Sequence, residues 1–149
     1  MPPPDQLRDS FGRKIDNIRI SVTDRCNFRC RYCMTEEGMT WLGHAEILTY
    51  EEIARVVRIL VSMGIRKVRL TGGEPLMRKE LPELVERLHV LAGLEDIALT
   101  TNGYFLAEQA ESLARAGLRR INVSLDSLDP ATFETMARRN YLDRVLAGI

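Results

Sequence analysis

Three cysteines, Cys26, Cys30 and Cys33, fall within the eight residues Cys26-Asn27-Phe28-Arg29-Cys30-Arg31-Tyr32-Cys33, and the chain has no others. Soft thiolates at this spacing suit zinc or an iron–sulfur cluster. The number of ligands bears on the choice. A structural zinc site is closed by four ligands, whereas a four-iron cluster held by three cysteines keeps one iron open to an outside molecule. An open metal position reads as chemistry. A disulfide would leave one odd thiol. A zinc site would have to borrow His44 across an intervening loop that contains glycine and glutamate.

These thiols need a scaffold, and the rest of the chain supplies a repeating one. Asn17 to Val22 alternates apolar Ile18, Ile20 and Val22 with polar Asn17, Arg19 and Ser21, which predicts a strand ending at the cysteine loop. Thr49-Tyr50-Glu51-Glu52 is a capping box. It opens a helix to about Met63 with a stripe of Ile53, Val56, Val57 and Leu60, stopped by Gly64. The pattern then recurs. Strands are predicted at Lys67 to Leu70, Ile97 to Thr100 and Arg120 to Leu125. Helices are predicted from Leu81 to Gly93, over Leu106 to Ala116, around Phe133 and Met136, and from Leu142.

Strands alternating with helices at this period predict parallel crossovers in one sheet. The fold class is therefore α/β: parallel βα repeats forming the N-terminal half of a partial TIM-type barrel, since a complete barrel takes ~250 residues. Residues 1–14 read as a lead segment, with Met-Pro-Pro-Pro disordered, and residues 15–149 as the core domain of a longer protein. A fourth strand left as an unpaired edge predicts poor folding in isolation.

Strand alternation also sorts the side chains. One face carries Arg19 and Ser21, then Lys67, Arg69 and Thr71, then Ala98, Thr100 and Asn102, then Asn122, Ser124 and Asp126. In a closed or partly closed barrel this face lines a cavity, and buried Arg19, Lys67 and Arg69 require an anionic partner such as a phosphate. In an open sheet the same face is simply wet. The turn Thr71-Gly72-Gly73-Glu74-Pro75 follows the second strand, where βα proteins bind ligands. Its glycines permit close approach of a ligand, and Glu74 is an acceptor for an ammonium group. Thr101-Asn102-Gly103 reads as an ordinary turn. Tyr32 either packs over a ligand or shields the metal site.

Composition narrows the function classes. The 21 basic and 21 acidic residues balance, which argues against general nucleic-acid binding. No apolar run approaches the ~18 residues of a membrane span. Reduced thiolates and the absence of a signal sequence point to the cytoplasm. A homodimer is compatible with the sequence but not required by it.

The cysteine spacing, with an aromatic residue before the last cysteine and Gly-Gly-Glu-Pro after the second strand, resembles the radical S-adenosylmethionine (SAM) superfamily. The ordered set Ser21 to Cys30, Tyr32-Cys33-Met34, Arg69 to Leu76, Leu99 to Gly103 and Asn122 to Asp126 is similar to the GTP 3′,8-cyclase family within it. The similarity runs from about Phe11 to Ile149.

It implies a [4Fe–4S] cluster on Cys26, Cys30 and Cys33, with SAM chelated at the open iron and reduced by an external electron donor. Reduction then yields a 5′-deoxyadenosyl radical that acts on GTP in molybdenum cofactor biosynthesis. By position, Tyr32, Gly73 and Ser124 would contact SAM, with Glu74 near its amino group. Arg19, Arg69 and Thr100 would contact GTP, helped by Lys67. The family's second iron–sulfur cluster, which binds the guanine end of GTP, belongs to a C-terminal half this chain lacks, so the chain alone should not cyclise GTP. Thr35 replaces the family's usual proline, and Asn140 a frequent acidic residue. The alternatives are a radical SAM enzyme with another substrate and, from a different class, a non-enzymatic iron–sulfur or zinc-binding module.

Overall fold

The computed structural model describes residues 6–149 of the 149-residue chain. The first four residues, expected to be a disordered lead, lie outside the described residues. Residues 6–14 are tied down: Arg8 bridges Lys14, and the Leu7 N–H donates to the Met63 carbonyl at 3.3 Å.

Four strands, β1 (Asn17–Ser21), β2 (Lys67–Thr71), β3 (Asp96–Thr101) and β4 (Arg120–Val123), form one parallel sheet in the order β1-β2-β3-β4. Helices α1 (Tyr50–Ser62), α2 (Leu81–His89) and α3 (Leu106–Arg115) make the crossovers; α4 (Pro130–Ala137) and α5 (Leu142–Gly148) follow β4. This is the parallel βα succession expected from the alternating pattern.

Local chemistry explains the boundaries. Thr49 and Glu52 close the predicted capping box reciprocally: the Glu52 N–H donates to Thr49 Oγ1 at 3.2 Å and the Thr49 N–H to Glu52 Oε2 at 2.7 Å. Gly64 ends α1 with a φ of 106°. Helix α2 stops at His89 rather than at Gly93, because the chain tightens there into three-residue turns such as Leu91 N–H to the Leu88 carbonyl. Strand β4 is shorter than expected. Its neighbour β3 ends at Thr101, so after the Ser124 N–H donates to the Thr101 carbonyl at 2.8 Å no partner strand remains.

The apolar face of the sheet carries the main core. Val68, Leu70, Ile97 and Leu99 pack against Ile53 and Val57 of α1, Leu81, Leu84 and Leu88 of α2, and Leu113 of α3. A second, smaller core joins Phe28 of the cysteine loop to Phe133 and Ala137 of α4 and to Leu142 and Val145 of α5, with Cys26 and Cys30 against its rim. The larger core holds the sheet and its crossover helices, and the smaller one anchors the cysteine loop. Among the described residues no helix is long and apolar enough to cross a membrane.

Candidate functional site

The cysteine loop leaves the C-terminal end of β1 and is fixed from three sides. All three thiols are free; Cys26 and Cys30 are half-buried and Cys33 is exposed. Phe28 is 3 % exposed and meets Phe133 edge-on, with ring centroids 6.0 Å apart at 88°. The end of α4 holds the loop backbone. The Arg29 and Arg31 N–H groups donate to the Ala137 and Met136 carbonyls at 3.2 and 2.9 Å. These are carbonyls the helix leaves unpaired at its C-terminus.

Arginines satisfy the loop's own carbonyls. Arg29 Nη1 donates to the Cys26 and Phe28 carbonyls, each at 2.7 Å, and Arg138 Nη1 to the Arg29 and Met34 carbonyls at 3.3 and 3.2 Å. Arg138 itself ends α4 with a positive φ of 52°. None of these holdfasts is marked by local sequence pattern.

The Gly72-Gly73-Glu74 turn completes the lock. Parallel pairing continues past β1 and β2: the Gly73 and Glu74 N–H groups donate to the Thr23 and Arg25 carbonyls, each at 2.7 Å. A Cβ on Gly72 would lie 2.5 Å from the Thr23 carbonyl oxygen, and one on Gly73 would lie 2.3 Å from that of Arg25. The close approach these glycines permit is therefore that of the cysteine-loop backbone.

Glu74 also differs from expectation. Its side chain is 1 % exposed and points into the protein, where it accepts from Thr101 Oγ1 at 2.6 Å, the Asn102 N–H at 2.7 Å and the Leu76 N–H at 3.0 Å. Burial pushes its carboxyl above the usual range, against these three donors. Glu74 thus ties the β2 turn to the β3 turn. A carboxylate so enclosed is not placed to receive the amino group of a ligand.

Tyr32, at 64 % exposure, lies over the mouth of the loop and its hydroxyl donates to the Asp126 carboxylate at 3.0 Å. That contact brings the cysteine loop to the segment after β4, where Ser124 is exposed. Tyr32, Gly73 and Ser124 all stand at the C-terminal end of the sheet.

The polar face of the sheet carries the basic residues. Arg19, Arg69, Ala98 and Arg120 are register partners across all four strands. They line, with Lys67, a cavity of about 360 Å³. The face is more open than a barrel lumen: Arg19 and Lys67 are exposed and only Arg69 is half-buried. The cost of burying these cations, expected for a closed barrel, does not arise in this span.

Partners are unevenly distributed. Lys67 pairs with Asp16 at 3.3 Å and Arg120 with Asp96. Among the described residues Arg19 and Arg69 have no ion-pair partner, although their backbones are adjacent. Like charges directly across a strand pair repel, and a bound anion relieves that repulsion. Thr100, one step toward the cysteines, keeps a buried Oγ1 without a partner among the described residues. Arg120 was not singled out in the sequence, because its row is visible only once the register is known. A larger cavity of about 680 Å³, between the loop before α1 and the start of α2, contains none of the expected site residues.

A sequence profile of the Radical SAM superfamily matches residues 20–149. The chain belongs to the radical SAM superfamily. Curated relatives named GTP 3′,8-cyclase include one from Listeria welshimeri, 52 % identical over 143 residues, and one from Acidothermus cellulolyticus, 55 % identical over 148 residues. Each alignment covers 96 % of this chain but only 43 % and 41 % of the respective relative. The chain thus spans about two-fifths of their length.

The fold comparison agrees. Methylornithine synthase superposes with a TM-score of 0.64 at 18 % identity, covering 89 % of this chain and 39 % of the other. Streptococcus suis SuiB bound to S-adenosylmethionine gives 0.62 at 19 % identity, covering 81 % and 27 %.

The loop's chemistry fits the cluster that a radical SAM protein uses. Its three thiols are the chain's whole cysteine complement. Two N–H donors already face Cys26 Sγ: the Phe28 amide at 3.4 Å and Asn102 Nδ2 at 3.9 Å. Burial pushes the Cys26 and Cys30 thiols up, so both favour the protonated form until a metal supplies positive charge. Among the described residues no three Cys, His, Asp or Glu side chains are gathered tightly around one point that a single ion would fill.

Proposed function

We propose that this chain provides the cluster- and SAM-binding half of a GTP 3′,8-cyclase acting in molybdenum cofactor biosynthesis in the reducing cytoplasm. The observation that carries the reading is the pair of unpartnered guanidiniums, Arg19 and Arg69, in register below the cysteine loop. Its support is identity of 52–55 % to relatives bearing that name.

In this reading Cys26, Cys30 and Cys33 hold a [4Fe–4S] cluster. With SAM bound and an external electron donor, such a cluster would supply a 5′-deoxyadenosyl radical for hydrogen abstraction. Tyr32, Gly73 and Ser124 border the SAM position at the C-terminal ends of the strands. Arg19, Arg69 and Lys67 grip the triphosphate lower on the sheet face, and the free Thr100 hydroxyl contacts the nucleotide between them. A hydrogen bond from a charged donor contributes about 1.5–3 kcal/mol, so two guanidiniums suffice to anchor one end of the substrate. The guanine end is held outside this chain, at a second cluster.

The test uses the full-length protein, reconstituted anaerobically and incubated with SAM, a strong reductant and GTP. Formation of 5′-deoxyadenosine together with a pterin precursor is expected. No deoxyadenosine sinks the radical reading, and deoxyadenosine formed without dependence on GTP removes the assignment of substrate.

A further inference from the structure

The turn Thr101-Asn102-Gly103 does more than connect β3 to α3. The Asn102 N–H donates to Glu74 Oε2 at 2.7 Å, and Asn102 Oδ1 accepts the Tyr104 N–H at 3.0 Å. The second bond settles which end of the amide is which, because a backbone donor must face the oxygen. The amino end therefore points at the cysteine loop. It donates to Asn27 Oδ1 at 2.9 Å and reaches Cys26 Sγ at 3.9 Å. That contact in turn orients Asn27: its oxygen is occupied by Asn102, and its own Nδ2 is buried with no partner among the described residues. A buried N–H without an acceptor costs about 1–3 kcal/mol. Here it lies one residue from Cys26.

We propose that the Asn27–Asn102 amide pair, braced by Glu74, is a positioning and tuning element for the cluster, with Asn102 donating an N–H to Cys26 Sγ and Asn27 Nδ2 available as a second donor. This rests on the cluster reading given above. The physical effect has a definite sign. Added electron density on reduction resides partly on sulfur, and N–H donors stabilise it, so they raise the reduction potential. Exclusion of water around the half-buried Cys26 strengthens each such bond.

The experiment follows the cluster whose paramagnetic resonance signal is perturbed by SAM, in the reconstituted full-length protein. Asn102→Ala removes the donor without adding charge, and Asn102→Asp keeps the acceptor for Tyr104. With iron content matched to the parent, both are expected to shift the midpoint potential to more negative values. A parent-like midpoint in both overturns the inference.

If neither variant retains iron, the parent protein decides. Labelled with 15N-asparagine, it should show exchangeable-proton and nitrogen couplings from a side-chain amide to the reduced cluster. Absence of those couplings overturns the inference. A parent protein that retains no iron and sulfide overturns the cluster reading itself.

Discussion

Gly73 lies against the Arg25 carbonyl so closely that a Cβ would stand 2.3 Å from its oxygen. The contact is between two backbones, so no side-chain rotation relieves it. Gly73→Ala is expected to part the β2 turn from the cysteine loop, breaking the bonds to Thr23 and Arg25. The expected cost is about 1–3 kcal/mol in urea unfolding, with a matching loss of bound iron after reconstitution. An alanine variant with parental stability and iron content would show that the turn is not what holds the loop.

Phe28 anchors the loop to the second core. Phe28→Ala empties an enclosed site between Phe133 and Tyr141. Truncation of a buried phenylalanine costs about 3–5 kcal/mol. Phe28→Leu retains most of the volume and is expected to recover more than half of that loss. Equal unfolding midpoints for Phe28→Ala and the parent would count against the second core as the anchor.

How much of this was legible in the sequence depends on the range of the interactions. Strand alternation and the Thr49–Glu52 capping box are local, and they gave β1–β3 and α1 to within one residue. The exception at β4 has a long-range cause, since its length is set by where β3 ends. Arg138 and Arg139 look like surface charges after a short helix. Their role on the carbonyls of Arg29, Met34 and Asn27 exists only after α4 docks. Glu74 was visible as a special residue, but the direction it faces was not. It turns inward because Thr101 and Asn102 offer donors there, and strand alternation carries no information about a turn side chain.

Glu74 gives a pH signature. Burial holds its folded-state pKa above the ordinary value of 4.5, so the folded protein binds this proton more tightly than the unfolded chain. The contribution of Glu74 to stability is therefore fully present below the unfolded value and declines as pH rises through the folded one. Glu74→Gln cannot titrate. Urea unfolding of parent and variant between about pH 4 and pH 8 should show the parent losing ground relative to Glu74→Gln as pH rises. Parallel pH profiles would contradict the inward, enclosed carboxylate.

The row Arg19, Arg69, Arg120 separates binding from stability. Arg69→Ala removes a repulsive neighbour of Arg19, so the fold should change by no more than about 0.5 kcal/mol. Binding of inorganic tripolyphosphate to the full-length protein should weaken about tenfold, the effect of losing one charge-assisted contact. Arg120→Ala should weaken it less, because Asp96 already shares its charge. Calorimetric titration checks both. Unchanged affinity in Arg69→Ala would remove the polar sheet face as an anion site.

The bond between Arg138 and the Arg29 carbonyl joins residues 109 positions apart. On a ribosome adding ~5–20 residues each second, the cysteines emerge roughly 5–20 s before the helix end that secures them. For most of that interval the thiols sit on an unsecured tether and β4 has yet to be made. The docked form of the cysteine loop is thus complete only once the segment that ends α4 has been made. A nascent chain arrested before Phe133 would present three cysteines without the docked helix that shapes their loop.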